Sequence, residues 1–122
     1  MNNQIVWVDI PVTDLDRAIS FYSALLDGEV LKQTYDQFNF GLLPHADTSV
    51  SGCLIESPAE HINEFGPLIY FNVEGRIAQA VDVAKAFNVD IIEEMFQMGE
   101  HGFRAVLKDT EGNRIALHSS IG

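Results

Sequence analysis

The chain has 122 residues, of which 47% are hydrophobic, 20% charged and 10% aromatic, enough apolar material for one compact domain and too much for a disordered or low-complexity segment. Eighteen acidic against seven basic side chains give a formal charge of −11. Repulsion from phosphates therefore leaves neither nucleic acid nor an anionic membrane surface as an expected partner.

Residues 5–12 are β-branched and aromatic, which predicts a first strand, and Thr13-Asp14 supplies a helix cap at its end. From Leu15 the apolar positions fall at 15, 18, 19, 22, 25 and 26, a helix with one buried stripe that ends near Asp27-Gly28. Val30-Leu31 resumes an extended run. Two more strands are expected at about 37–43 and 49–56, divided by a loop whose Pro44 cannot donate to a sheet ladder.

The second half repeats this order. Residues 68–73 form a strand of bulky side chains, and Ile77, Ala80, Val81, Ala84 and Phe87 make one helical stripe. Asp90-Ile91-Ile92 is extended again. Residues 103–108 and 114–118 then flank Asp109-Thr110-Glu111-Gly112-Asn113, a hairpin turn in which Gly112 and Asn113 are expected at positive φ. A shift of about 61 residues sets Trp7 on Leu68, Val12 on Val73 and Val30 on Ile91. The predicted fold is thus α+β: two βαβββ modules, residues 1–61 and 62–122, within a single domain. The repeat rests on element order and apolar phase, because few letters match.

Two segments carry a resemblance. Val8-Asp9-Ile10-Pro11-Val12-Thr13-Asp14-Leu15-Asp16-Arg17-Ala18, followed by Phe21-Tyr22 and Leu25-Leu26-Asp27-Gly28, resembles the opening signature of the vicinal oxygen chelate superfamily. The run from Asp109 through His118 resembles its closing one. That superfamily includes glyoxalase I, extradiol dioxygenases, fosfomycin-resistance enzymes and bleomycin-resistance proteins. The resemblance spans nearly the whole chain and is specific for a fold, not for a reaction. It implies a curled mixed sheet around a cleft with the helices outside, and in the metal-dependent members a divalent cation held by one residue from each of four strands.

Carried onto this sequence, the first ligand position is Trp7, its counterpart is Leu68, and the last is Ala116, four residues after Gly112. Indole, isobutyl and methyl groups offer no lone pair to such a cation. The fourth position lies within 51–56; the repeat points from Ala116 to Ile55, and a slip of one residue selects Leu54 or Glu56. No metal or other cofactor is therefore expected at these places. A displaced site built from Asp9, Glu56 and His118 is the alternative, since Asp9 shares a strand face with Trp7 and His118 with Ala116.

The remaining chemistry is sparse. Cys53 is the single cysteine, which excludes a disulfide framework and fits a reducing, cytoplasmic setting; in an apolar strand it is expected to be a small buried hydrophobe. No segment has the pattern of a signal peptide or the length of a membrane span. Glu93-Glu94 and the acidic run 56–60 are expected to be solvated, as are His45 and His61 in polar loops. His101 precedes a strand directed at the cleft, and with His118 it is the acid–base candidate. The facing of Phe38, Phe40, Phe71 and Phe103 stays open.

The expected function is binding of a small organic molecule by Trp7, Asp9, Glu56, Tyr70 and His118, in a metal-free homodimer of the bleomycin-resistance type. Net charge favours a cationic ligand. The alternatives are a metal-dependent lyase or dioxygenase with a displaced site, and a metal-independent lyase or isomerase that uses His101 or His118.

Overall fold

The computed structural model of the chain describes residues 4–122. The first module runs β1 (Trp7–Val12), α1 (Leu15–Leu26), β2 (Leu31–Tyr35), β3 (Phe38–Leu42) and β4 (Ser51–Glu56). The second runs β5 (Ile69–Asn72), α2 (Ile77–Ala86), β6 (Ile91–Gln97), β7 (Phe103–Lys108) and β8 (Arg114–Ser119). Single 3₁₀ turns at Ala59–His61 and Gly99–His101 interrupt the connections.

Local chemistry explains the boundaries. Asp14 caps α1 by accepting from Arg17 N at 3.1 Å, and the helix stops where Asp27 turns left-handed, φ 50°, ahead of Gly28. Leu15, Ala18, Phe21, Tyr22 and Leu25 form the buried stripe of α1; Ile77, Ala80, Val81 and Ala84 form that of α2.

Each module makes its own four-stranded mixed sheet, in the orders β1-β4-β3-β2 and β5-β8-β7-β6, and the sheets do not close on one another. β1 runs parallel to β4, and β5 to β8; the remaining pairs are antiparallel. One face of each sheet packs on the helices in a shared core, where Phe21 meets Tyr22 and Phe87 edge-on and Tyr22 lies 5.4 Å from Phe71. The other face, the open face, carries no helix.

The register fixes what the sequence left undecided. Asp9 pairs with Cys53, and Tyr70 pairs with Ala116. Tyr70 follows Asp9 by the expected 61 residues, whereas Ala116 follows Cys53 by 63. The counterpart of Ala116 is therefore Cys53, not Ile55, whose own counterpart is His118. The difference arises in the loops: β2 and β3 are joined through only Asp36 and Gln37, β6 and β7 by residues 98–102, β3 and β4 by residues 43–50, and β7 and β8 by residues 109–113. Gly52 admits the close pairing of β1 with β4, because a Cβ there would lie 2.3 Å from Val8 O.

The β7–β8 turn fastens the second module to the first. Gly112 has the expected positive φ, 101°, but Asn113 does not. Asn113 is instead a buried hub: its Nδ2 donates to Pro11 O at 2.8 Å and to Asp109 Oδ2 at 3.0 Å, and its Oδ1 accepts from Asn63 N at 3.0 Å. Asp109, also buried, accepts from Tyr22 Oη at 2.6 Å and from the backbone N–H groups of Glu111 and Asn113. Glu111 accepts from Thr13 N, Thr13 Oγ1 and Asp14 N, and clamps Arg17 through both carboxylate oxygens at 2.7 and 2.9 Å. The β3–β4 loop makes no such clasp, and Pro44–Val50 are all exposed.

Candidate functional site

Strand alternation and register assign the open faces. On the first sheet the open face carries Trp7 and Asp9 from β1, Cys53 and Ile55 from β4, Phe38, Phe40 and Leu42 from β3, and Leu31 and Tyr35 from β2. Trp7, Leu31, Tyr35 and Phe38 are exposed despite their size. Glu56 pairs with Val12 and so lies on the helix side, opposite to Asp9. That corrects its expected place in the cleft and removes it from the proposed Asp9–Glu56–His118 group. The cause is the parity of β4, where Gly52 and Cys53 are small and buried alike and leave no alternation to read.

Within this face Trp7 Nε1 donates to Asp9 Oδ1 at 2.9 Å, and the Cys53 thiol reaches the same oxygen at 3.4 Å. Burial, then the hydrogen bond and charge of Asp9, push the Cys53 thiol up to about 11. A thiol held there is a poor nucleophile. Its reaction with a disulfide reagent at pH 8 is expected to be about two orders of magnitude slower in the folded protein than in urea, because the thiolate fraction falls by about that factor. Equal rates in the two states would refute the assignment.

The open face of the second sheet is built differently. It carries Tyr70 and Asn72 from β5, Arg114, Ala116 and His118 from β8, Arg104, Val106 and Lys108 from β7, and Glu93 and Phe96 from β6. Arg104 lies at its centre: Nη1 donates to Tyr70 Oη at 2.5 Å, and Nη2 to the two Glu93 oxygens at 3.1 and 3.4 Å. The guanidinium stands 5.3 Å from the Phe96 ring centroid and 6.0 Å from that of Tyr70. Tyr70 and His118 face each other at 6.5 Å, edge to face. His118 Nε2 donates to His101 O at 2.9 Å, so it is the carbonyl of His101 that meets the face, while the residue itself sits in the exposed 3₁₀ turn.

The structure thus forms two clusters, Trp7–Asp9–Cys53 and Tyr70–Arg104–Glu93–His118, one per module, and no hydrogen bond or ring contact joins them. Sequence reasoning missed Arg104, Glu93 and Phe96. The signal for Arg104 was present in 103–108, where strand alternation puts Arg104 in phase with Val106 and Lys108 and, across the hairpin, the register puts it on the face of Ala116. A separate cavity of about 480 Å³ opens between the modules; Val8, Ile10, Leu43, Val50 and Phe71 line it, and of the candidate residues only Tyr70 reaches it.

The four positions that the resemblance marks for metal ligands hold Trp7, Cys53, Leu68, just ahead of β5, and Ala116, with Cys53 now set by the register. One thiol among an indole, an isobutyl and a methyl group does not fit a divalent cation. Among the described residues no three His, Cys, Asp or Glu side chains stand close enough to hold one elsewhere. Nor is any helix of the described residues long and apolar enough to cross a membrane.

Residues 4–117 match the family model described as Glyoxalase/Bleomycin resistance protein/Dioxygenase superfamily. No curated protein sequence matches. Among solved structures, the E126Q mutant of the fosfomycin resistance protein FosX from Listeria monocytogenes, complexed with Mn(II) and 1S,2S-dihydroxypropylphosphonic acid, superposes with a TM-score of 0.70 at 16% identity, over 97% of this chain and 90% of that one. Trypanothione-dependent glyoxalase I of Leishmania major gives 0.69 at 23% identity, over 98% and 88%. UcmS2 gives 0.67 at 24% identity, over 97% and 98%. At these identities the likeness is one of fold.

Proposed function

The chain belongs to the Glyoxalase/Bleomycin resistance protein/Dioxygenase superfamily, and on that premise we propose that it binds a small organic molecule on its open sheet faces without a divalent cation at the four strand positions. One observation carries this: the positions that the resemblance marks for ligands hold Trp7, Cys53, Leu68 and Ala116, and the open faces they share expose Trp7 and Tyr70. FosX was solved with Mn(II); the side chains here suit stacking and hydrogen bonding instead. We place the chain in the cytoplasm, a reducing setting that fits its free thiol, Cys53.

The test joins metal analysis of protein purified without chelators to a thermal-shift screen of planar organic molecules. A ligand at 100 times its Kd adds about 2.7 kcal/mol of stability, which the screen detects readily. Hits with substoichiometric metal support the reading. One equivalent of a transition metal per chain would overturn it.

We also propose a homodimer, for which the exposed Leu31, Tyr35 and Phe38 of the first sheet offer a second copy an apolar surface. Light scattering at micromolar concentration is expected to give twice the 13.6 kDa chain mass. A monomer under those conditions rejects the dimer and leaves the ligand reading to its own test.

A further inference from the structure

The charge of the second open face runs against that of the chain. Only seven Lys and Arg are present in the whole sequence, against eighteen Asp and Glu. Three of the seven, Arg104, Lys108 and Arg114, share this face, where the strands contribute a single carboxylate, Glu93. Lys108 is paired with Glu64 from the connecting segment, at 2.7 Å. The Arg114 side chain has no hydrogen bond or ion pair among the described residues. A net charge of −11 describes attraction at long range; what a ligand meets at the surface is set by the nearest groups.

Arg104 is also prepared for a ligand before one arrives. Tyr70 Oη and Glu93 hold its guanidinium from two sides, and Phe96 and Tyr70 set rings beside it. Those hydrogen bonds use Nη1 and Nη2 only. Its Nε is buried without a partner, so a ligand meets the guanidinium at the Nη1–Nη2 edge, and the side chain as a whole is partly exposed. The planar fork fits a carboxylate in two-point contact, and because the side chain is already fixed, little conformational freedom is lost on binding. Tyr70 and Phe96 remain exposed and offer ring faces within reach of the same group.

Building on the small-molecule reading, we propose that the ligand of this face is a planar organic anion, an aromatic carboxylate whose carboxylate sits on Arg104 and whose ring lies against Tyr70 and Phe96. The sign is opposite to the one that net charge suggests. Arg104 supplies the charge and the direction, and Tyr70 both orients Arg104 and contacts the ligand.

The probes are 2-naphthoate and 2-naphthamidine, matched in shape and opposite in charge, titrated calorimetrically into the full chain at 0.15 M salt, where repulsion from distant carboxylates is screened beyond about 8 Å. Naphthoate is expected to bind and naphthamidine not. Arg104→Met is expected to weaken naphthoate at least tenfold, and Arg104→Lys to recover only part of the loss, since it restores charge without the fork. Tyr70→Phe leaves the ring and the fold in place and is expected to weaken binding several-fold by releasing Arg104, a second readout should Arg104→Met fail to fold. Binding of naphthamidine but not naphthoate would overturn the anion and leave the small-molecule reading standing. Unchanged naphthoate affinity in Arg104→Lys and Tyr70→Phe would overturn the assignment of Arg104. No binding of either probe, together with one bound transition metal per chain, would overturn both.

Discussion

Replacing Asp109 by alanine is expected to cost about 3–4 kcal/mol of folding stability, a large part of the roughly 5–15 kcal/mol available to a domain of this kind. The carboxylate accepts from Tyr22 Oη, from Asn113 N and Nδ2 and from Glu111 N. Tyr22 is fully buried and Asn113 nearly so. Alanine leaves the Tyr22 hydroxyl and the Asn113 N–H with neither protein nor water to accept them, and each stranded donor costs about 1–3 kcal/mol. Asn113 Nδ2 keeps Pro11 O, which bounds the loss. Because the damage is stranded donors, Tyr22→Phe in the Asp109→Ala background is expected to restore about 1 kcal/mol, although Tyr22→Phe alone destabilises. Urea unfolding of the four proteins of this cycle tests the claim; additive effects would show that Tyr22 and Asp109 are not coupled.

Glu111→Ala is the second large effect, about 2–3 kcal/mol near neutral pH. It removes a two-point clamp on a half-exposed Arg17, worth up to about 1 kcal/mol, and the acceptor of Thr13 and Asp14 N–H groups where β1 turns into α1. This residue also sets an acid limb of the stability profile. Burial alone pushes the Glu111 carboxyl up, but the hydrogen bonds from Arg17, Asp14, Thr110 and Thr13 outweigh it and bring the group down to about 2 from an ordinary 4.5. A carboxyl lowered by folding stabilises fully above its unfolded value, and that contribution is lost as pH falls from 4.5 through about 2. Asp109 has the opposite sign: burial raises it above 3.8 despite its hydrogen bonds, so its titration favours the folded chain at low pH and the benefit is lost as pH rises through the raised value. Glu111→Gln is therefore expected to flatten the fall in stability between pH 4.5 and 2.5, and Asp109→Asn to steepen it. Denaturant midpoints across that range decide; parallel profiles for wild type and Glu111→Gln would refute the assignment.

Much of the fold was legible because its elements are written in period and punctuation. The start of α1 at Leu15, its end at Asp27 and the span of β7 follow directly from the capping aspartate, the apolar stripe and the turn residues. The facing of β4 was not legible, since Ser51–Glu56 contains small residues that pack on either side. Its register depends on β1, 44 residues away in sequence, and on loop lengths that differ between the modules. For the same reason Glu56 entered the candidate site and Cys53 stayed out of it. That Asp9 shares a face with Trp7, and His118 with Ala116, was legible because alternation along one strand is local information. Arg104 was overlooked because a charged residue between Phe103 and Ala105 signals a solvent-facing position, and only the surrounding Tyr70, Glu93 and Phe96 show that its guanidinium is held in place there.

The clasp between the modules is one-sided: residues 109–113 hydrogen-bond to the first module, while in the corresponding connection, 43–50, Leu43 is buried in the core and Pro44–Val50 are exposed. Two hairpins that occupy equivalent places in a duplicated architecture are thus under different constraints. The β3–β4 connection is the place to insert an epitope, a fluorophore-bearing residue or a new terminus by circular permutation, whereas the same graft at the β7–β8 turn would pull apart the halves of the molecule.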